Sequence, residues 1–250
     1  MSGHSKWAGI KHKKAVVDAK RGKIFTKIIR EITVAARSGG GDPDTNPSLR
    51  LAVSKAKEAN MPKDNIKNAI MKGTGELPGV TYEEATYEGY AHGGVAIIAE
   101  TLSDNKNRTT AELRSIFTKK NGNMAGSGSV AWLFHKKGFI IIDKKTVKED
   151  RLMSIVLENG AEDMAVSGDT YEITTEVKDF ENVKNALIDN KIECQSAEIT
   201  MIPASTVKVE DRTQAQAVLS LMNALEEHDD VQNVYANFDI PDDIIAELEK

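Results

Sequence analysis

Apolar residues recur every three or four positions through the first 75 residues, the spacing at which side chains share one face of an α-helix. A first helix is predicted over residues 22–37, where Phe25, Ile28 and Ile32 lie on one side and a row of cations lies on the other. The segment 38–43, rich in glycine and closed by proline, is expected to end it. Two more helices are predicted, one after Asn46-Pro47 and one over residues 62–73.

After residue 79 the pattern changes to short apolar runs that alternate with amphipathic stretches, which predicts strands alternating with helices. The central part has the β-α-β-β-α-β order of a ferredoxin-like unit, over segments 139–143, 148–159, 165–166, 171–174, 180–190 and 197–202. A β-α-β half precedes it, over segments 94–100, 109–120 and 130–134. A matching half follows it, over segments 206–209, 213–227 and 231–238.

The predicted fold class is therefore α+β and multidomain, with an N-terminal three-helix domain followed by two α/β domains with ferredoxin-like β-α-β units, one inserted in the other. The predicted domains are a basic helical domain over 1–75, a split α/β domain over 76–134 plus 203–250, and an inserted ferredoxin-like domain over 135–202. Tandem β-α-β units in one continuous sheet would fit the pattern nearly as well.

Charge divides the chain at the first of these boundaries. Residues 1–75 hold 16 Lys and Arg against six Asp and Glu, a net charge of +10, and the other 175 residues hold 17 against 32, or −15. The net charge of −5 therefore hides a strong asymmetry. Such a density of cations suits a polyanion, so we expect the N-terminal domain to bind nucleic acid; the alternative is an ordinary solvated helical surface.

Three groups of residues are candidates for contact with nucleic acid. The basic arm at the start of the chain comprises Lys6, Trp7, Lys11, His12, Lys13, Lys14, Lys20 and Arg21. The cationic side of the first helix comprises Lys23, Lys27, Arg30 and Arg37. A polar loop that enters a helix adds Asn105, Lys106 and Arg108. The alternatives are a frayed arm with Trp7 folded onto the first helix, and a loop that only caps its helix.

The third helix offers a different way of binding. Lys63, Asn65, Lys67 and Asn68 could reach a groove of DNA, and asparagine suits the edge of adenine. An ordinary helical hairpin is the other interpretation, and it is favoured because the short turn before this helix lacks a glycine.

The sequence gives no indication of catalysis, a cofactor or a metal. Cys194 is the single cysteine, which excludes an intrachain disulfide and a cysteine-based zinc site. The glycine-rich segment 122–129 lacks the Gly-Lys-Ser/Thr ending of a P-loop, and the five histidines are scattered. We expect no enzyme and no small-molecule substrate. The remote alternative is a phosphoester or small-molecule enzyme that works in an interdomain cleft with Asn105, Arg108 and acidic side chains. No run of about 18 apolar residues occurs, so no membrane contact and a cytoplasmic location are expected.

Several short motifs resemble those of the YebC family. They are Gly3-His4-Ser5-Lys6-Trp7, Arg21-Gly22-Lys23, Asn60-Met61-Pro62, Lys72-Gly73-Thr74-Gly75, Tyr87-Glu88-Gly89-Tyr90, Asp104-Asn105-Lys106-Asn107-Arg108-Thr109 and Gly128-Ser129-Val130. His92 stands where the family more often has proline. The resemblance implies an N-terminal helical domain and two α/β domains. It also implies either a DNA-binding transcriptional regulator or a ribosome-associated factor like the mitochondrial translational activators.

The sequence thus predicts a non-enzymatic, nucleic-acid-binding regulator of gene expression whose basic N-terminal domain holds phosphates. Ribosomal RNA is preferred over DNA as the target, because the cations are dispersed and no helix clearly reads bases. The ribosome is the partner that this preference implies. A DNA-binding transcriptional regulator that uses residues 62–72 is the alternative.

Overall fold

The computed structural model of the protein describes residues 18–248, which form eight α-helices and three β-sheets. The α+β, multidomain fold class is confirmed, with helices first and sheets afterwards. Contacts between residues divide the described chain into two compact units. One holds residues 18–129 and 211–234, and the other holds residues 130–210 and 235–248. No helix in the described part is long and apolar enough to cross a membrane.

The first unit begins with three helices, α1 (Asp18–Gly39), α2 (Pro47–Glu58) and α3 (Lys63–Thr74), as the apolar spacing predicts. Their shared core contains Ile32 and Leu49, both fully buried. Asn46 caps α2 by accepting a hydrogen bond from Leu49 N at 3.1 Å, and its amide donates to Ala35 O and Gly40 O, both at 2.8 Å. One buried side chain therefore fixes both the start of α2 and the end of α1.

Helix α3 approaches α1 closely at Gly73. A Cβ built there would lie 2.5 Å from Thr33 O and 2.7 Å from the Ala36 Cβ, so only glycine fits without a shift. The turn from α2 into α3 depends on Asn60, which has a φ of 55°. Asparagine thus takes the left-handed conformation for which the sequence shows no glycine.

The sheet of the first unit has the strand order β3-β1-β2-β9. Its strands are β1 (Glu83–Tyr90), β2 (Ala96–Ser103), β3 (Asn123–Met124) and β9 (Val231–Ala236). Two helices belong to this unit, α4 (Lys106–Lys119) and α7 (Arg212–Glu226), and α4 buries Leu113 and Phe117. Strand β1 pairs antiparallel with β2. The sequence does not predict it, because its first half is largely exposed and begins with two glutamates.

The second unit contains the predicted β-α-β-β-α-β segment. Its elements are β4 (Phe134–Asp143), α5 (Glu149–Glu158), β5 (Ala161–Ser167), β6 (Thr170–Thr175), α6 (Phe180–Asp189) and β7 (Ser196–Pro203). The strand order is β5-β6-β4-β7 with every neighbouring pair antiparallel, which is the ferredoxin-like arrangement. Ile140 and Ile173 pack against Leu152 and Leu187 of the helices in its core.

The two flanking β-α-β halves are wrong in detail. Residues 131–133 form a 3₁₀ turn rather than a strand, and the strand that follows belongs to the ferredoxin-like sheet. At the far end, β8 (Val207–Lys208) pairs with β10 (Phe238–Asp239) in a separate two-stranded sheet, and only β9 joins β2. The last helix described is α8 (Asp242–Leu248). The sheets are therefore not continuous, and the tandem alternative is excluded for the described residues.

Candidate nucleic-acid interface

The predicted arm falls largely outside the described residues. Lys6, Trp7, Lys11, His12, Lys13 and Lys14 all precede residue 18, where the description begins. Lys20 and Arg21 lie in the first turn of α1. The candidates whose side-chain contacts the structure describes therefore lie on the helices and in the loop before α4.

The cationic side of α1 lies against the end of α7, within the same unit. Lys23 Nζ donates to Glu227 O at 2.9 Å, and Lys27 Nζ donates to Glu226 O at 2.7 Å. Carbonyl groups at the end of a helix carry partial negative charge, so they attract lysines. Two of the four predicted phosphate ligands on α1 thus hold the end of a helix in this conformation.

Arg30, the next member of this row, is bound to a buried carboxylate. Its side chain is 12% exposed and its NH1 donates to Asp230 Oδ1 and, at 2.8 Å, to Leu102 O. The guanidinium also lies 5.2 Å from the centre of the Tyr82 ring. The structure therefore places Arg30 as an internal ion-pair partner.

Asp230 is the centre of this network. Its side chain is 2% exposed, and its Oδ2 accepts hydrogen bonds from Arg108 NH2 at 2.9 Å, Thr109 Oγ1 at 2.5 Å and Ser103 Oγ at 3.3 Å. Burial raises the pKa of Asp230, but the hydrogen bonds from Thr109, Arg108 and Arg30 outweigh it and hold that pKa far below its usual range. Asp230 is therefore an ionised hub that joins α1, α4 and the start of β9.

The loop before α4 forms the helix cap that the sequence allowed beside a phosphate site. Asn105 Oδ1 accepts from Arg108 N at 3.1 Å, and Arg108 NH2 also donates to Asp104 Oδ1 at 2.8 Å. Hydrogen bonds to Asp230 and Asp104 raise the pKa of Arg108. Lys106 is exposed in the first turn. Of the three predicted loop residues, Asn105 and Arg108 are thus engaged by their own loop and by Asp230.

A cavity of about 800 Å³ opens beside this network, between α4, the end of α7 and α1. Potential metal ligands of Glu112, His228 and Asp230 lie within 4.8 Å of one another there. His228 Nε2 lies 2.8 Å from Glu112 Oε2, and its Nδ1 accepts from Asp230 N at 3.1 Å. Because both oxygens of Asp230 already accept hydrogen bonds, we assign the group as a network of hydrogen bonds and ion pairs.

Four lysines on α2 and α3 are available for another partner. Lys57, Lys63, Lys67 and Lys72 are exposed and form no hydrogen bond or ion pair through their side chains within residues 18–248. Lys55, in contrast, pairs with Glu31 at 3.0 Å. Among the residues that the structure describes, Arg37 reaches only Val80 O, at 3.5 Å. The feature of the sequence that points to α3 as a binding surface is its charge, since the helix has three lysines and one aspartate.

The exposed side of α3 also carries two asparagines, Asn65 and Asn68. Together with Lys63 and Lys67, these are the side chains considered for groove contact. The left-handed Asn60 in the preceding turn removes the reason for preferring an ordinary hairpin, because the turn has its residue with positive φ.

Comparison with known proteins extends over the whole chain. Residues 5–76 match the model described as TACO1/YebC protein N-terminal domain, and residues 82–238 match that of the TACO1/YebC second and third domain. A protein of Dictyoglomus turgidum named "Probable transcriptional regulatory protein" is 57% identical over 249 residues, covering 99% of this chain and 100% of the relative. One of the same name from Desulfosudis oleivorans is 55% identical, covering 98% and 99%.

A solved structure agrees with these matches. The crystal structure of a conserved hypothetical protein, Aq1575, from Aquifex aeolicus superposes with a TM-score of 0.82 at 51% identity, covering 94% of this chain and 97% of that chain. The resemblance noted in the motifs is thereby confirmed, and the chain belongs to the TACO1/YebC family.

Proposed function

We propose that the protein regulates gene expression by binding nucleic acid through the exposed lysines of its N-terminal helical module. The relatives' name, probable transcriptional regulatory protein, supports the general role of a regulator. The proposal assigns no catalytic step to the chain, in line with that name. We keep the three predicted domains as part of it, with residues 1–75 as the binding domain.

One observation carries the proposal. Lys57, Lys63, Lys67 and Lys72 are exposed and uncommitted within the described residues, while the cations on the inner side of α1 hold Asp230 and the end of α7. Phosphates attract such lysines, and each contact releases counterions from the nucleic acid. We include the basic arm, Lys6 to Lys14, in the same surface on the strength of its charge.

RNA of the ribosome is the target that we favour. The free lysines spread over two helices, and Lys63 and Lys72 are nine residues apart, which places them on opposite sides of α3 at 100° per residue. Such a dispersed set suits an irregular arrangement of phosphates, as folded RNA presents, better than one straight backbone.

DNA is the second candidate, and α3 supports it. Asn65 and Asn68 are both exposed and, three residues apart, share one side of α3, and asparagine can bind the adenine edge in the major groove. The four-residue link between α2 and α3, with Asn60 in the left-handed conformation, suits a helix-turn-helix.

Crosslinking in living cells, followed by sequencing of the attached nucleic acid, separates these candidates. Enrichment of ribosomal RNA supports the first, and enrichment of promoter DNA supports the second. The variant in which Lys57, Lys63, Lys67 and Lys72 are replaced by Gln should lose most of the crosslinks. Equal recovery with the wild type would place the binding surface elsewhere.

A further inference from the structure

Trp132 is the most exposed large apolar side chain in the described part of the chain. It is 69% exposed, although tryptophan is on average among the well-buried residue types. Its neighbours on both sides follow the usual rule, since Val130 is fully buried and Phe134 is 5% exposed. The chain thus anchors the segment on either side of Trp132 and leaves most of this side chain exposed.

The backbone around Trp132 is fixed. Residues Ala131–Leu133 form a 3₁₀ turn in which Leu133 N donates to Val130 O at 3.0 Å and Phe134 N donates to Ala131 O. Leu133 O accepts from Ala204 N at 2.7 Å, which ties the turn to the segment after β7. The indole is therefore presented from a hydrogen-bonded turn, and binding there would order little additional backbone.

The exposed residues next to the turn, along the chain and after its hydrogen bond to Ala204, are small or polar. Ala204, Ser205 and Thr206 are exposed next to Leu133, and His135 and Lys136 are exposed at the start of β4. A protein-docking surface centred on Trp132 would be expected to present further exposed apolar side chains. An exposed indole, with exposed His135 and Lys136 close to it along the chain, instead matches what an unstacked nucleobase and its phosphate require.

We propose that Trp132 is a base-stacking residue that binds an unpaired nucleobase of single-stranded RNA. This inference rests on the proposed function, because it assigns a second contact to the same nucleic acid. The indole supplies the stacking face, and Lys136 supplies charge for an adjoining phosphate. Stacking tolerates any base, so the site selects unpaired over paired RNA without selecting a sequence.

Intrinsic fluorescence reports on this site directly. The chain has two tryptophans, so Trp7→Phe leaves Trp132 as the single indole. Titrating that protein with a single-stranded oligouridine RNA should quench and shift its emission as the base stacks. An emission spectrum that stays unchanged at saturating RNA, while anisotropy of labelled RNA shows binding, would overturn the proposal.

Affinity gives the second readout. In the Trp7→Phe background, Trp132→Ala should weaken binding of the oligouridine by roughly 5- to 150-fold, and Trp132→Phe should weaken it much less. Affinity for heparin, a polyanion without bases, should be the same in all three proteins. Ile188→Ala is the matched control and should leave the affinity for oligouridine unchanged. It also removes a large apolar side chain that is exposed in the same unit, since Ile188 is 60% exposed.

The outcomes separate the two proposals. If the wild type binds neither RNA nor heparin, the proposed function fails. If RNA binding is normal and Trp132→Ala leaves it unchanged, only the stacking role fails. Sedimentation that shows loss of self-association in Trp132→Ala, with RNA affinity unaltered, would assign the ring to a protein contact and would also overturn the inference.

Discussion

Asp230 shows at the scale of one residue how the basic helix is attached to the rest of its unit. Four donors from Arg30, Arg108, Thr109 and Ser103 converge on a carboxylate that is 2% exposed. Removing one partner of a buried pair leaves the other charge uncompensated. The preceding residue, Asp229, is exposed. Two adjacent aspartates therefore have different roles.

Asp230→Ala is expected to lower the free energy of unfolding by about 3–5 kcal/mol, because Arg30 would remain buried without its carboxylate. Asp229→Ala should change it by less than about 0.5 kcal/mol. Urea denaturation measures both. Similar effects for the two variants would show that the network does not stabilise the unit.

The same carboxylate predicts how stability depends on pH. The pKa of Asp230 in the folded protein lies below its value of about 3.9 in the unfolded chain, so the folded state favours the ionised form. Its contribution is complete above the unfolded pKa and is lost progressively as the pH falls from that value towards the lower pKa of the folded state. The difference in unfolding free energy between wild type and Asp230→Asn should therefore shrink towards acidic pH. A difference that stays constant down to pH 3 would contradict this.

The sequence could not have indicated this network. Arg30 and Asp230 are 200 positions apart, and the pattern around Arg30 shows only that it lies opposite the apolar face of α1. That position is compatible with solvent and with a charged partner in the same unit. Local periodicity determines the face of a helix, whereas the neighbour of that face depends on the tertiary fold.

At the scale of elements, the close packing of α1 and α3 depends on Gly73. Gly73→Val should lower the free energy of unfolding by about 1–3 kcal/mol or more, because the added atoms would overlap Thr33 O and Ala36. Gly22→Ala is the matched control within α1. A Cβ there meets nothing within 4 Å, so higher helix propensity should stabilise the protein by up to about 1 kcal/mol. Thermal unfolding that moves in the same direction for both variants would refute the packing account.

Elements with one regularly spaced buried face could be predicted from the sequence. Elements whose exposed and buried residues do not alternate regularly could not. The helices and the ferredoxin-like segment have clear apolar periods, and their predicted positions agree with the structure within a few residues. Strand β1 was missed because Glu83 and Glu84 are exposed at its start. The apolar run 130–134 predicts a strand, yet it contains a turn that exposes Trp132. The three domain boundaries remain a prediction.

At the scale of the whole molecule, the positive charge of residues 1–75 falls into two groups. Lys23, Lys27 and Arg30 hold structure within their unit, and Lys57, Lys63, Lys67 and Lys72 are the exposed lysines that we propose bind a polyanion. The asymmetry of charge was predictable from composition. Which lysines are available was not, because that depends on the carbonyls and carboxylates that the fold brings near them.

The salt dependence of RNA binding tests the central claim most directly. For single strands, the slope of log K against log salt concentration is about −0.7 for each phosphate neutralised. Replacing Lys57, Lys63, Lys67 and Lys72 by Gln should make that slope less steep by about 3. The matched control replaces Lys145, Lys148, Lys178 and Lys191, four exposed lysines of the other unit, and should leave the slope unchanged. Equal slopes for both variants and the wild type would contradict the account.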